Sequence, residues 1–140
     1  VLTIAAIIAI SHPAFAISLQ SLFGNPEPDN FKIIHVQDLD RLMKSPNTHV
    51  NLYDVNPLDV RAQTGSIPGA RLLPSYNYDI ATELPPDKNA DIVFYCRNTQ
   101  CMASHTAANR ALKAGYTDVS VMADGIEGWK NAGKPTDPVN

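Results

Sequence analysis

Short apolar runs alternate with amphipathic stretches from residue 31 to residue 136. Phe31-Lys32-Ile33-Ile34-His35-Val36 predicts a strand. Asp38 is placed to cap a short helix carrying Leu39, Leu42 and Met43, which Ser45-Pro46-Asn47 ends. His49-Val50-Asn51-Leu52-Tyr53-Asp54-Val55 is apolar enough for a buried strand. Residues 57–64 predict a short helix stopped by Gly65. Pro68-Gly69 is a turn, and Ala70-Arg71-Leu72-Leu73-Pro74 a brief strand. Residues 78–84 predict another helical turn before Pro85-Pro86.

The clearest unit follows. Residues 92–95 are a strand and residues 96–103 a loop. Ser104 is the N-cap of a helix with Ala108, Ala111 and Leu112 on one face. Lys113 sits in its last turn and Gly115 just past it, as helix ends prefer. Residues 117–122 are a further strand. Residues 125–131 form a closing helix with Trp129, the only tryptophan. Strands alternating with short helices make an α/β fold: one domain over residues 31–136, with a mostly parallel central sheet flanked by short helices. A Ser-, Asn- and Pro-containing arm, residues 17–30, precedes it, and a tail, residues 137–140, follows.

The amino-terminal pattern is different. Residues 1–10 are apolar except for Thr3, and Ala14-Phe15-Ala16 supplies small residues around a cleavage position. Residues 1–16 therefore read as a secretory signal peptide. The rival reading, an apolar first helix, is poorly served by Pro13 and the Ala-x-Ala triplet. The run is short of the roughly 20 residues that cross a bilayer, so no stable membrane insertion is expected after cleavage. The mature chain begins near Ile17 and is periplasmic or secreted, where disulfides persist.

Composition adds little beyond this. The chain has 140 residues, 44% hydrophobic, with a net charge of −3. That suffices for one core and gives no basic surface for nucleic acid. Oligomeric state is not legible.

The chemistry concentrates in Tyr95-Cys96-Arg97-Asn98-Thr99-Gln100-Cys101-Met102-Ala103-Ser104-His105, which holds both cysteines. Cys96 lies at the carboxyl end of a strand, where parallel sheets bind ligands. The next helix points its unpaired N–H groups at the same place, which favours an anion and lowers a thiol's pKa. Arg97 adds a positive charge. The loop suits a reactive thiolate, a persulfide or an oxyanion, and periodicity does not choose among them. A redox pair, Cys96 with Cys101, is one alternative. A Cu(I) or Zn module using Cys96, Cys101, Met102 and His105 is another, weakened by offering only three strong ligands. A phosphatase or arsenate reductase would want an Arg closing the loop where Cys101 stands.

Four stretches resemble the rhodanese domain, a sulfurtransferase fold. Leu52-Tyr53-Asp54-Val55-Asn56 is similar to the family's strand ending in Asp-Val-Arg. Gly65-Ser66-Ile67-Pro68-Gly69-Ala70 is similar to its Gly-His-Ile-Pro-Gly-Ala turn. Val93-Phe94-Tyr95-Cys96-Arg97 is similar to the strand and cysteine that open its active loop. Ala114-Gly115-Tyr116, Gly125-Ile126-Glu127-Gly128-Trp129 and Ala132-Gly133-Lys134-Pro135 match its closing pattern.

The resemblance implies that Cys96 takes a sulfane sulfur from a small donor such as thiosulfate or a persulfide. It passes that sulfur to a thiol, a partner protein's thiol or cyanide, with no metal or organic cofactor. Arg97, Asn98, Thr99, Gln100, Cys101, Met102, Ser104 and His105 would form the loop and contact substrate, with Asp54 supporting it. Three departures stand out. Asn56 replaces the family's Arg, which loses a supporting ion pair. Ser66 replaces its His. Cys101 occupies the sixth loop position, and the helix starts about three residues late, which marks a secreted subtype with a paired-cysteine loop. Cys101 is then a structural disulfide partner or a resolving thiol. Arg97 is a solvated charge or an anion contact, and His105 a surface residue or a proton donor. Glu127 is a solvated or capping charge. Trp129, Tyr53 and Tyr95 are core.

Overall fold

The computed structural model describes residues 30–140. The segment read as a signal peptide, residues 1–16, and the arm up to residue 29 lie outside the described residues. In chain order the elements are β1 Lys32–Ile34, α1 Val36–Lys44, β2 Val50–Asp54, α2 Leu58–Thr64, β3 Arg71–Leu72, α3 Ile80–Glu83, β4 Asp91–Tyr95, α4 Ala103–Lys113, β5 Val119–Met122 and α5 Gly125–Asn131. The strands form a five-stranded sheet in the order β1-β5-β4-β2-β3. All its pairings are parallel. Among the described residues no helix is long and apolar enough to cross a membrane.

The sheet has two apolar faces, and alternation along each strand divides the side chains between them. Tyr53, Ile92, Phe94, Val119 and Val121 pack with Ala107, Ala108 and Ala111 of α4. Leu52, Val93, Tyr95 and Met122 pack with Val36 and Leu39 of α1 and with Ile126 and Trp129 of α5. β4 is therefore covered on both faces, and residues 92–95 are all buried. This explains its unbroken apolar run. Each such large side chain contributes about 1.5–3 kcal/mol when fully buried. The alanines of α4 leave little between helix and sheet, so the start of that helix is fixed close to the end of β4.

Two helix starts differ from the sequence pattern. α1 begins at Val36 with His35 as N-cap, and Asp38 lies one turn in. The Asp38 carboxylate reaches back to accept from the His35 N–H at 3.0 Å. The chain turns early because Asp124, just past the end of the neighbouring strand β5, accepts from the Val36 N–H at 2.9 Å. α4 begins at Ala103 after Met102, so Ser104 sits in its first turn and is not the cap. β5 begins at Val119, two residues late, because Thr117 is drawn away: its N–H donates to the Lys88 carbonyl at 2.9 Å. At the carboxyl end, Asp137 and Ser66 exchange backbone hydrogen bonds of 2.9 Å in each direction. The first residue beyond 136 is thereby tied to the domain.

Candidate active site

β4 delivers Cys96 to the carboxyl edge of the sheet, and the chain curls before entering α4. The curl is set by Asn98. Its side-chain oxygen accepts from the Gln100 N–H at 3.1 Å, and its carbonyl accepts from the Cys101 N–H at 3.1 Å. An Asn that folds the backbone onto itself in this way is a turn device. It returns Cys101 to within 6.3 Å of Cys96, Cα to Cα, and the two sulfurs are joined as a disulfide. Cys96 is only 2% exposed. Its sulfur lies 3.3 Å from the Ser104 hydroxyl and 3.3 Å from the Cys101 carbonyl oxygen. Ser104 therefore donates its hydroxyl to the sulfur from the first turn of α4, where the helix's own N–H groups lack intrahelical acceptors.

The loop is held from beneath by α5. The Ile126 and Glu127 N–H groups donate to the carbonyls of Cys96 and Arg97 at 2.8 and 3.0 Å. The Glu127 carboxylate accepts from Arg97 Nε at 2.6 Å and from Asn98 Nδ2 at 3.1 Å. The Arg97 hydrogen bond, then that of Asn98, holds the Glu127 carboxyl below its ordinary range. Gly125 permits this approach. It has φ +67°, and a Cβ there would lie 2.4 Å from the Arg97 carbonyl and 2.5 Å from the Asn98 nitrogen.

A second buried network supports the strand ends. Tyr95 Oη donates to Asp54 Oδ2 at 2.7 Å and accepts from the Ile67 N–H at 3.0 Å. Burial, then the Asp54 charge, pushes the Tyr95 phenol far up. Asp54 Oδ1 accepts from the Asn56 N–H at 2.8 Å. The ion pair expected to be lost with Asn56 is present in another form. Arg61 of α2 brings Nε to 3.4 Å from Asp54 Oδ1, and its terminal nitrogen donates to the carbonyls of Asp54 and Leu73 at 2.7 and 2.6 Å. Arg61 is 3% exposed, so a charge supplied from the following helix compensates Asp54. The Asn56 amide is buried, and neither of its side-chain polar atoms has a hydrogen-bond partner within the protein.

The loop residues named from sequence separate into groups. Cys96, Cys101 and Ser104 converge. Arg97 and Asn98 turn to Glu127, a partly solvent-exposed charge that also clamps the loop. Thr99, Gln100 and Met102 are exposed, Met102 at 58%. The His105 ring is partly buried, set edge-on to Phe31 with centroids 5.3 Å apart. A cavity of about 460 Å³ opens beside the loop, bounded by Asn98, Thr99, His35, Asp124, Glu127 and Asn131. Among the described residues no three His, Cys, Asp or Glu side chains converge on a metal position. Arg61, Gly125 and the clamp by Glu127 were missed. Gly125 left a signal, a glycine opening a helix, and the other two left none.

Comparison with known proteins places this geometry. The family model for the rhodanese-like domain matches residues 35–132. No curated protein matches the chain. Among solved structures, a rhodanese-like domain protein from Staphylococcus aureus is 22% identical, with TM-score 0.58 over 76% of this chain and 99% of that one. The rhodanese-like domain of an Anabaena sp. protein is 23% identical, with TM-score 0.63 over 76% and 78%. A thiosulfate sulfurtransferase from Pseudomonas aeruginosa is 20% identical, with TM-score 0.61 over 79% of this chain but 21% of its own. At these identities the likeness is one of fold.

Proposed function

The chain belongs to the rhodanese-like domain family, and from that premise we propose that it is an exported sulfurtransferase carrying sulfane sulfur on Cys96. Membership supports sulfurtransferase-type or related chemistry. The observation that carries the finer reading is the position of Cys96. Its sulfur ends an inner strand, is buried, and faces the Ser104 hydroxyl and the first turn of α4. A hydroxyl donor and unpaired helix N–H groups stabilise a thiolate or the terminal sulfur of a persulfide. With thiosulfate as donor, the Cys96 thiolate attacks the outer sulfur. The sulfur–sulfur bond of thiosulfate breaks, and sulfite leaves with the electron pair. An acceptor thiolate or cyanide then takes the outer sulfur and regenerates the thiolate. The disulfide has to be opened before the first step.

The test is intact mass spectrometry of the reduced protein before and after thiosulfate or polysulfide. A gain of one sulfur atom is expected in Cys101→Ser, where the sulfur has no internal acceptor, and none in Cys96→Ser. Cys101→Ser should keep measurable transfer to cyanide. If Cys96→Ser still takes up sulfur and Cys101→Ser does not, the nucleophile is Cys101. Export is tested separately: the amino terminus of the exported protein should fall near Ile17, and an intact chain in the cytoplasm would refute it.

A second reading, a redox domain that cycles between dithiol and disulfide, is favoured by the Cys96–Cys101 bond itself. Under that reading a sulfur donor leaves no persulfide on Cys96 even when Cys101 is absent.

A further inference from the structure

We propose that Cys101 is a built-in acceptor for the sulfur on Cys96, so that the site also works as a persulfide reductase releasing hydrosulfide. The inference rests on Cys96 being the sulfur carrier. What the structure adds is that the loop already holds the two sulfurs at bonding distance without any rearrangement of the sheet. Only residues 97–100 separate them, and the Asn98 turn curls that segment. The Glu127 clamp fixes its first half against α5. A persulfide on Cys96 therefore has a thiol beside its inner sulfur, whereas any external acceptor must reach a residue that is 2% exposed.

The step balances without a further reagent. The Cys101 sulfur attacks Cys96 Sγ, and a Cys96–Cys101 bond forms. The bond from Cys96 Sγ to the outer sulfur breaks. The outer sulfur leaves with the electron pair, takes the Cys101 proton and departs as hydrosulfide. Cys101 is oxidised, the outer sulfur is reduced, and Cys96 Sγ stays at the disulfide level. Turnover then needs a dithiol, which is oxidised to its own disulfide as it reopens the loop.

The geometry also assigns the direction of that reopening. Attack on one sulfur expels the other as thiolate, and the better stabilised thiolate leaves. Cys96 has the Ser104 hydroxyl and the α4 N-terminus to receive its charge. Cys101 is the more accessible of the pair, next to the exposed Met102. The reductant therefore attacks Cys101, forms its mixed disulfide there, and frees Cys96 for the next donor.

The experiment loads the reduced wild-type protein with a substoichiometric amount of polysulfide, without oxygen or other thiols. Hydrosulfide and intact mass are followed together. The expected result is one equivalent of hydrosulfide per sulfur delivered, with loss of two hydrogens and no retained sulfur. Cys101→Ser should keep the added sulfur and release hydrosulfide slower by about tenfold or more. Wild-type protein that retains the sulfur with Cys101 still alkylatable overturns the proposal but leaves Cys96 as carrier. If neither wild type nor Cys101→Ser takes up sulfur or releases hydrosulfide, the carrier reading falls and takes this one with it. If the variant does not fold, alkylating the wild type within the first turnover and mapping the transient persulfide takes its place: Cys96 is expected, and Cys101 overturns the proposal. Trapping the mixed disulfide with a monothiol, which lacks the second thiol that would resolve it, should place it on Cys101, and finding it on Cys96 refutes the assigned direction.

Discussion

Consider Gly125→Ala. At φ +67° an L-residue pays roughly 1–2 kcal/mol for the left-handed backbone. The methyl group would also sit 2.4 Å from the Arg97 carbonyl carbon and oxygen, and neither atom is the movable end of a side chain. The loop or α5 must withdraw. Withdrawal stretches the Ile126 and Glu127 hydrogen bonds to the loop carbonyls, each worth about 1 kcal/mol. The expected loss is about 3–4 kcal/mol, or a fall in Tm of roughly 10–20 °C for a domain of this size. Gly133→Ala is the control. Gly133 has φ +73° and nothing within 4 Å of its would-be Cβ, so it incurs the backbone cost alone. Urea denaturation followed by Trp129 fluorescence, with sulfur uptake measured alongside, separates the two. Gly125→Ala should be about 2 kcal/mol worse than Gly133→Ala and should slow sulfur uptake, while the control should not. Equal destabilisation by the two substitutions would refute the claim that α5 seats the loop.

Other expectations are more limited. Tyr95→Phe removes the donor to the Asp54 carboxylate and the acceptor for the Ile67 N–H; stability should fall by about 2–3 kcal/mol, and a loss below about 0.5 kcal/mol in urea titration would mean that water replaces the hydroxyl. The Glu127 carboxyl is depressed from the ordinary 4.5, so the clamp is fully present above that pH and is lost only as pH falls through the lower folded-state value. Amide exchange of residues 97–100, corrected for intrinsic rates, should match Glu127→Gln only below pH 4.5, and matching at neutral pH would show the clamp to be idle. The oxidised protein should have no alkylatable thiol and no sulfur uptake, and a mild dithiol should restore both; uptake by the fully oxidised form would contradict Cys96 as carrier.

What could be read from the sequence, and what could not, follows the range of the interactions. β4 and α4 were legible because an apolar run and an alanine face are local patterns. The residues 125–131 helix was legible for the same reason. The thiol pair was legible because its members are close in sequence. The clamp was not, since Glu127 meets partners 29 and 30 positions upstream and no period connects them. Arg61 left no sequence signal, because only the fold of α2 turns it inward over Asp54. Asp38 and Ser104 were read as caps from their residue types. Asp38 is displaced by a tertiary acceptor, Asp124, and Ser104 falls inside α4 facing Cys96. Local preference yields to tertiary pairing at the sheet's carboxyl edge, where the thiol loop lies.

The strand order has a kinetic consequence. β1 pairs only with β5, and the bond that seats α1, from Val36 to Asp124, spans 88 positions. A chain emerging from its amino end therefore cannot complete this sheet until its last strand is available. Parallel pairings of such long sequence separation nucleate slowly, because loop-closure entropy is spent before contacts repay it. The thiols, in contrast, need no sheet to find each other. Oxidation of residues 96–101 can precede the closing of the fold, and the domain would then condense around a loop whose curl was covalently set in the unfolded chain.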